Sequence, residues 1–199
     1  MIRKSRLIFG SVTLGVAMVL GTILLVSYIW RDNPLPAVVV GGPFKLASAN
    51  GGVVDSEELR DHPYGVFFGF THCPEVCPTT LYEMTQTLSE LGDQAKNFRL
   101  FMVTADPERD SASLLKDYVG NFDPRMEGLV PTPDELIVVA RAFRTYYDKQ
   151  PTSDGSYTMN HTAMIYLMDR NGEFVTVIPY GDTPEGRLDK LRKLLAGTR

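Results

Sequence analysis

The only two cysteines, Cys73 and Cys77, stand four positions apart within residues 67–81. An apolar, strand-like run leads into them, and a polar–apolar pattern behind Cys77 reads as a helix. Positions i and i+4 share a helical face, so two thiols at a helix start can point the same way. A helix N-terminus carries about half a positive charge. That charge lowers a thiol pKa and favours the thiolate, the form that binds metal or attacks a disulfide. Two chemistries are therefore open. A thiolate pair selects soft ions, Cu(I) first and zinc next. The same pair can instead cycle between dithiol and disulfide. A purely structural disulfide here would close a very small loop and add little stability.

Two thiolates rarely complete a metal site, and three histidines are available, His62, His72 and His161. His62 precedes a proline in a loop, and His72 adjoins Cys73, where neighbouring side chains diverge; both read as solvated residues. His161 lies far downstream, in the turn before an apolar run, and its place depends on the fold. Met159 is a further soft donor, with core packing as its ordinary reading.

The elements that must position these groups can be read in order. A small hairpin is expected over residues 44–54 around the turn at 49–52, then a short helical segment at 56–59. Residues 64–70 read as a buried strand. Pro78 suits the first turn of a helix whose apolar face is Leu81, Met84, Leu88 and Leu91, ended by Gly92. Residues 98–104 read as a second strand and residues 106–110 as a loop, with Ser111 capping a helix that carries Leu114, Leu115, Tyr118 and Val119. Residues 121–133 read as irregular, 134–147 as a helix and 149–157 as a polar, mobile stretch. Strands over 162–168 and 174–178 flank an Asn171-Gly172 hairpin turn, and Thr183-Pro184-Glu185 opens a final helix. Alternating strands and helices imply an α/β sheet covered on both faces. A strand, a cysteine pair on a helix start, a late antiparallel hairpin and a closing helix fit a thioredoxin-like layout. In that layout the residues before the strand at 162 come close to the cysteine helix, which aims His161 at the thiols.

Residues 7–30 contain no charge. At about 1.5 Å per helical residue they reach roughly 36 Å, against about 30 Å for a hydrocarbon core. Tyr28 and Trp30 fit an interface, and Arg3, Lys4 and Arg6 predict a cytoplasmic N-terminus at residues 1–6. The run is longer than the apolar core of a cleaved signal and lacks a good cleavage site, so a retained transmembrane anchor is expected. Residues 31–40, with Pro34 and Pro36, read as a linker, leaving 41–199 as the globular domain. The net charge of −4 and the lack of a long basic run argue against nucleic acid as a partner.

The stretch Phe70-Thr71-His72-Cys73-Pro74-Glu75-Val76-Cys77-Pro78-Thr79-Thr80-Leu81, with Asp106-Pro107-Glu108-Arg109-Asp110 and Asn160-His161-Thr162, resembles the Sco/SenC family. The likeness runs over most of residues 41–196. It implies a membrane-anchored, thioredoxin-like copper protein that assists assembly of the binuclear copper centre of cytochrome c oxidase. Its globular domain would lie on the periplasmic or mitochondrial intermembrane-space side. By position, Cys73, Cys77 and His161 would be the copper ligands, for Cu(I), Cu(II) or both. Asp106 would belong to the family's acidic loop near the site. The expected partners are the copper-receiving subunit of the oxidase or another copper chaperone. One departure stands out: the family usually has Asp immediately before the ligand His, and this chain has Asn160. An outer carboxylate could hold the imidazole tautomer or balance charge, and an amide brings no charge.

Two functions of different class follow. A metallochaperone, not strictly an enzyme, would hold copper on two thiolates and one imidazole. A thiol–disulfide oxidoreductase would use Cys73 as attacking thiolate and Cys77 as resolving thiol to reduce a partner's cysteines. Three intervening residues argue against a thioredoxin-type catalyst, which uses Cys-x-x-Cys. Zinc is a weaker fit, because it prefers four ligands.

Overall fold

The computed structural model describes residues 2–32 and 39–198, with side chains from 15 to 31 in the first segment. It divides into two compact units, Met1–Val38 and Val39–Arg199. The first unit is one helix, α1 (Ile2–Asp32). Among the described residues no helix is long and apolar enough to cross a membrane. The uncharged run at 7–30 extends over side chains 7–14, which lie outside the described residues, as do those of Arg3, Lys4 and Arg6. Residues 33–38 of the expected linker lie outside them too.

The second unit is built on a seven-stranded mixed sheet. Its strands are β1 (Lys45–Ser48), β2 (Val53–Asp55), β3 (Tyr64–Gly69), β4 (Arg99–Thr104) and β5 (Met126–Val130), with β8 (Met164–Met168) and β9 (Phe174–Pro179). They lie side by side in the order β2-β1-β5-β4-β3-β8-β9. β3, β4 and β5 run parallel, and the outer strands pair antiparallel. The helices are α2 (Val76–Leu91), α3 (Ala112–Val119), α4 (Pro133–Phe143) and α5 (Pro184–Ala196). Side chains alternate across a strand, and β3 uses both faces. Phe67 joins Leu81, Met84 and Leu88 of α2, Leu115 of α3 and Leu191 of α5. Val66 and Phe68 join Leu136, Val139 and Phe143 of α4 on the other face. This is the helix-flanked, thioredoxin-like arrangement expected from the sequence.

Three local expectations are corrected. Residues 121–133 are not irregular throughout, because β5 runs through them beside β4. Its Glu127 and Gly128 interrupt the apolar pattern for packing reasons. A Cβ on Gly128 would stand 2.6 Å from Cγ of Leu115, and the buried Glu127 carboxylate is paired with the Arg99 guanidinium and the Ser48 hydroxyl. The helix expected over 134–147 ends at Phe143, where Arg144 turns left-handed at φ 54°. At its other end Thr132 and Glu135 form a reciprocal cap, which fixes the start. Finally, 149–157 is not a mobile stretch. β6 (Tyr147–Pro151) and β7 (Tyr157–His161) form a two-stranded antiparallel sheet separate from the main one.

Candidate metal centre

α2 begins without a side-chain cap of the usual kind: its N-cap residue, Glu75, makes no capping hydrogen bond. The sulfur of Cys73 supplies one instead, accepting from the backbone N–H of Cys77 at 3.3 Å. Cys77 is the second residue of α2 and Pro78 the third, where a missing N–H costs nothing. The dipole of α2 thus converges on Cys73.

His161 does not sit in a turn, as the sequence suggested, but ends β7, paired with Tyr147 of β6. Its Nδ1 lies 3.2 Å from the carbonyl oxygen of Thr162. A carbonyl only accepts, so Nδ1 carries the proton and Nε2 presents its lone pair. That Nε2 is 3.5 Å from the Cys77 sulfur. The ligand atoms of Cys73, Cys77 and His161 all lie within 4.8 Å of one another. Phe67 and Phe70 stand edge-on to the imidazole, with ring centroids 6.2 and 5.7 Å away, so the ring is walled by apolar surface. Cys77 is fully buried, Cys73 is 9% exposed and His161 is half-buried.

The two thiols are free and differ in acidity. Hydrogen bonding to Cys77 draws the Cys73 thiol down to about 4; burial opposes this, and backbone N–H groups of Cys77 and Glu75 support it. Cys77 is pushed above the ordinary thiol range, first by its hydrogen bond to Cys73, then by burial and by the charge on Cys73. Of the two, Cys73 is therefore the thiolate and Cys77 the thiol.

The other sequence candidates fall outside this trio. His62 is exposed. His72 is half exposed, with Nδ1 3.7 Å from an Asp110 carboxylate oxygen. Met159 is buried in the core cluster that includes both cysteines. Asn160 is exposed and faces Asp148 across the hairpin. Side-chain alternation directs it away from His161, and the imidazole takes its orientation from a backbone carbonyl instead. A carbonyl leaves no mark in a sequence. Asp106 is buried and accepts from the Tyr157 hydroxyl at 2.9 Å. Tyr157 and Tyr118 were both missed as neighbours of the site. The Tyr118 hydroxyl is buried and, among the described residues, without a hydrogen-bond partner. Its pKa is raised by burial first, then by the electrostatic influence of the nearby Cys77, Cys73 and Asp110.

A family model described as SCO1/SenC matches residues 33–196. The chain is 33% identical over 140 residues to the SCO2-like protein RP587 of Rickettsia prowazekii, covering 69% of this chain and 68% of that one. It is 36% identical over 148 residues to the human mitochondrial SCO1 homologue, covering 73% of this chain and 49% of that one. Its fold is similar to the solved structure of Bradyrhizobium japonicum ScoI with copper bound, with TM-score 0.72 and 44% identity, over 78% of this chain and 99% of that one.

Proposed function

The chain belongs to the SCO1/SenC family, and from that premise we propose that it is a copper carrier. The observation that carries this reading is the approach of three soft or borderline donors, two sulfurs and one imidazole nitrogen, within 4.8 Å. Such a set favours Cu(I) over harder cations. The imidazole already has the tautomer a metal ligand needs, held by an outer hydrogen bond. Copper bound to the B. japonicum relative supports the same identity for the ion. Cys73, Cys77 and His161 would hold copper as cargo and pass it to the copper-receiving subunit of cytochrome c oxidase, or to another chaperone. Residues 7–30 would anchor the chain in a membrane with residues 1–6 in the cytoplasm. Residues 31–40 would be the linker, and residues 41–199 the copper-binding domain on the periplasmic or intermembrane-space side. Anaerobic titration of the full chain in detergent with Cu(I) tests the central claim. One tight copper per chain is expected, and no uptake by the reduced protein would reject it.

A second role has an observation in its favour. The acidic, slightly exposed Cys73 and the sealed, protonated Cys77 are divided as an attacking and a resolving thiol would be. As a membrane-anchored reductase the chain would take a disulfide from a partner's cysteines, closing its own Cys73–Cys77 bond. Reduced protein mixed with an oxidised dicysteine acceptor should then give stoichiometric thiol on the acceptor, abolished by Cys77→Ala after a mixed disulfide at Cys73.

A further inference from the structure

The hairpin that carries His161 shares no ladder with the seven-stranded sheet; its His161 end runs on through Thr162 and Ala163 into β8, and its Tyr157 end is gripped by side chains. They come from the segment between β4 and α3. The Asp106 carboxylate, 1% exposed, accepts from Nε of Arg109 at 2.5 Å and from the Tyr157 hydroxyl at 2.9 Å. Arg109 closes the ring: Nη1 donates to the Tyr157 backbone carbonyl at 2.8 Å. Its guanidinium carbon lies 3.7 Å from the centroid of the Tyr157 ring, a close cation–π distance. Nearby, Lys149 of β6 pairs with Glu108 at 2.5 Å. Tyr157 opens β7 and His161 closes it. Residues four apart in a strand share a face, so a grip on Tyr157 sets the face that presents the imidazole.

The same segment holds the sulfur side. Asp110 is fully buried. Its carboxylate accepts from the Thr71 N–H at 3.0 Å, the Thr71 hydroxyl at 2.5 Å and the Thr104 hydroxyl at 2.6 Å. Thr71 lies two residues before Cys73. One five-residue loop thus touches both halves of a site whose parts are 84 positions apart in the chain. Arg109 is also badly placed for stability alone, since its second terminal nitrogen is buried without a hydrogen-bond partner among the described residues. A buried donor left so is costly.

We propose that the loop at residues 106–110 sets the gap between imidazole and sulfurs, with Arg109 and Tyr157 as the positioning residues for His161. The inference rests on the copper reading above and deepens it. Lysine could not replace Arg109, because an ammonium lacks the planar fork that stacks and hydrogen-bonds at once.

The test is a double-mutant cycle in the full chain, read by competitive anaerobic Cu(I) binding. Arg109→Gln is expected to weaken copper binding by about tenfold or more, the scale of losing an outer partner of a ligand. In a His161→Ala background the same change should cost less than about twofold, the tolerance for independent sites. Equal losses in both backgrounds, or none in either, would overturn the proposal. Arg109→Lys should fail to restore binding, and full restoration by lysine would also count against it. A copper-free readout separates this inference from the carrier reading. In Arg109→Gln, amides of 157–161 should exchange faster with solvent while those of β3 and β4 do not change. If the native chain takes up no Cu(I), the carrier reading fails, and the exchange result alone decides whether the clasp holds the hairpin.

Discussion

Nε2 of His161 stands 3.5 Å from the sulfur of Cys77, although β7 and α2 are remote in sequence. The imidazole reaches it with its other nitrogen already committed to the Thr162 carbonyl, so little rearrangement separates the metal-free ring from a ligand. His161→Ala should lower Cu(I) affinity by more than about 100-fold, beyond the range for loss of an outer partner. It should leave the thermal midpoint of the metal-free protein nearly unchanged, since the ring is only half-buried. Anaerobic competition with a chelator of known affinity checks the first outcome and calorimetry the second.

The acidity of the thiols gives a pH signature. Thiolate absorbance of the metal-free protein should show Cys73 titrating near about 4 and Cys77 remaining protonated through neutrality. Because the first cause of the low value is the hydrogen bond to Cys77, Cys77→Ala should raise the Cys73 midpoint. A midpoint that did not move would locate the cause elsewhere. The sign for stability follows from linkage. The folded state ionises Cys73 more readily than the unfolded chain does, so stability from this group is fully present above the ordinary thiol value of about 9. It is lost as pH falls through about 4. Cys77 acts oppositely: its raised value removes stability as pH climbs above the ordinary thiol range, where only the unfolded chain ionises. Chemical denaturation of Cys73→Ala and Cys77→Ala across these windows separates the two.

Gly69 closes β3 directly beneath the site. A Cβ there would lie 2.8 Å from a ring carbon of Phe67, and 3.0 Å from both the Cys77 sulfur and the Met102 methyl. Gly69→Ala should cost about 1–3 kcal/mol, as overpacking of a dense core does. It should also weaken copper binding by displacing the sulfur. Urea denaturation and the copper competition assay read the two effects separately. Retained stability together with native affinity would show that the neighbours can yield.

Tyr118 offers a change of opposite sign. Its buried hydroxyl has no hydrogen-bond partner among the described residues, and an unsatisfied polar group costs about 1–3 kcal/mol on burial. Tyr118→Phe keeps the ring that packs on Phe122 at 5.7 Å and removes only the hydroxyl. The metal-free protein should become as stable or more stable in urea, and a clear loss of stability would reveal a bonding role for the hydroxyl.

How far the sequence carried this picture depended on whether the cause was local. Cys73 and Cys77 advertised themselves through spacing, Pro78 through helix-start chemistry and Asn171-Gly172 through its turn. The strands with continuous apolar runs, β3 and β4, were found within a residue. β5 was missed because Glu127 and Gly128 are chosen by remote partners, Arg99 and Leu115, which no window around them contains. The β6–β7 hairpin was missed because β6 is polar and mostly exposed and β7 buries only Met159 fully; Arg109 and Asp106, some fifty residues upstream, help hold it to the domain. The same distance hid Tyr157 as a neighbour of the site. His161 was placed correctly beside the sulfurs through the wrong element, since the thioredoxin-like layout foretold its neighbourhood but not the strand that delivers it.

The cap that Cys73 gives α2 has a consequence for the copper-carrier reading, on which the chain would run both loaded and empty. In most helices the terminating group is an oxygen with no second occupation. Here the group that finishes the helix is also the one that would grasp the ion, and without cargo it still accepts the Cys77 amide. On that reading, unloading would leave α2 closed at its origin, and this helix start would not have to re-form between one delivery and the next.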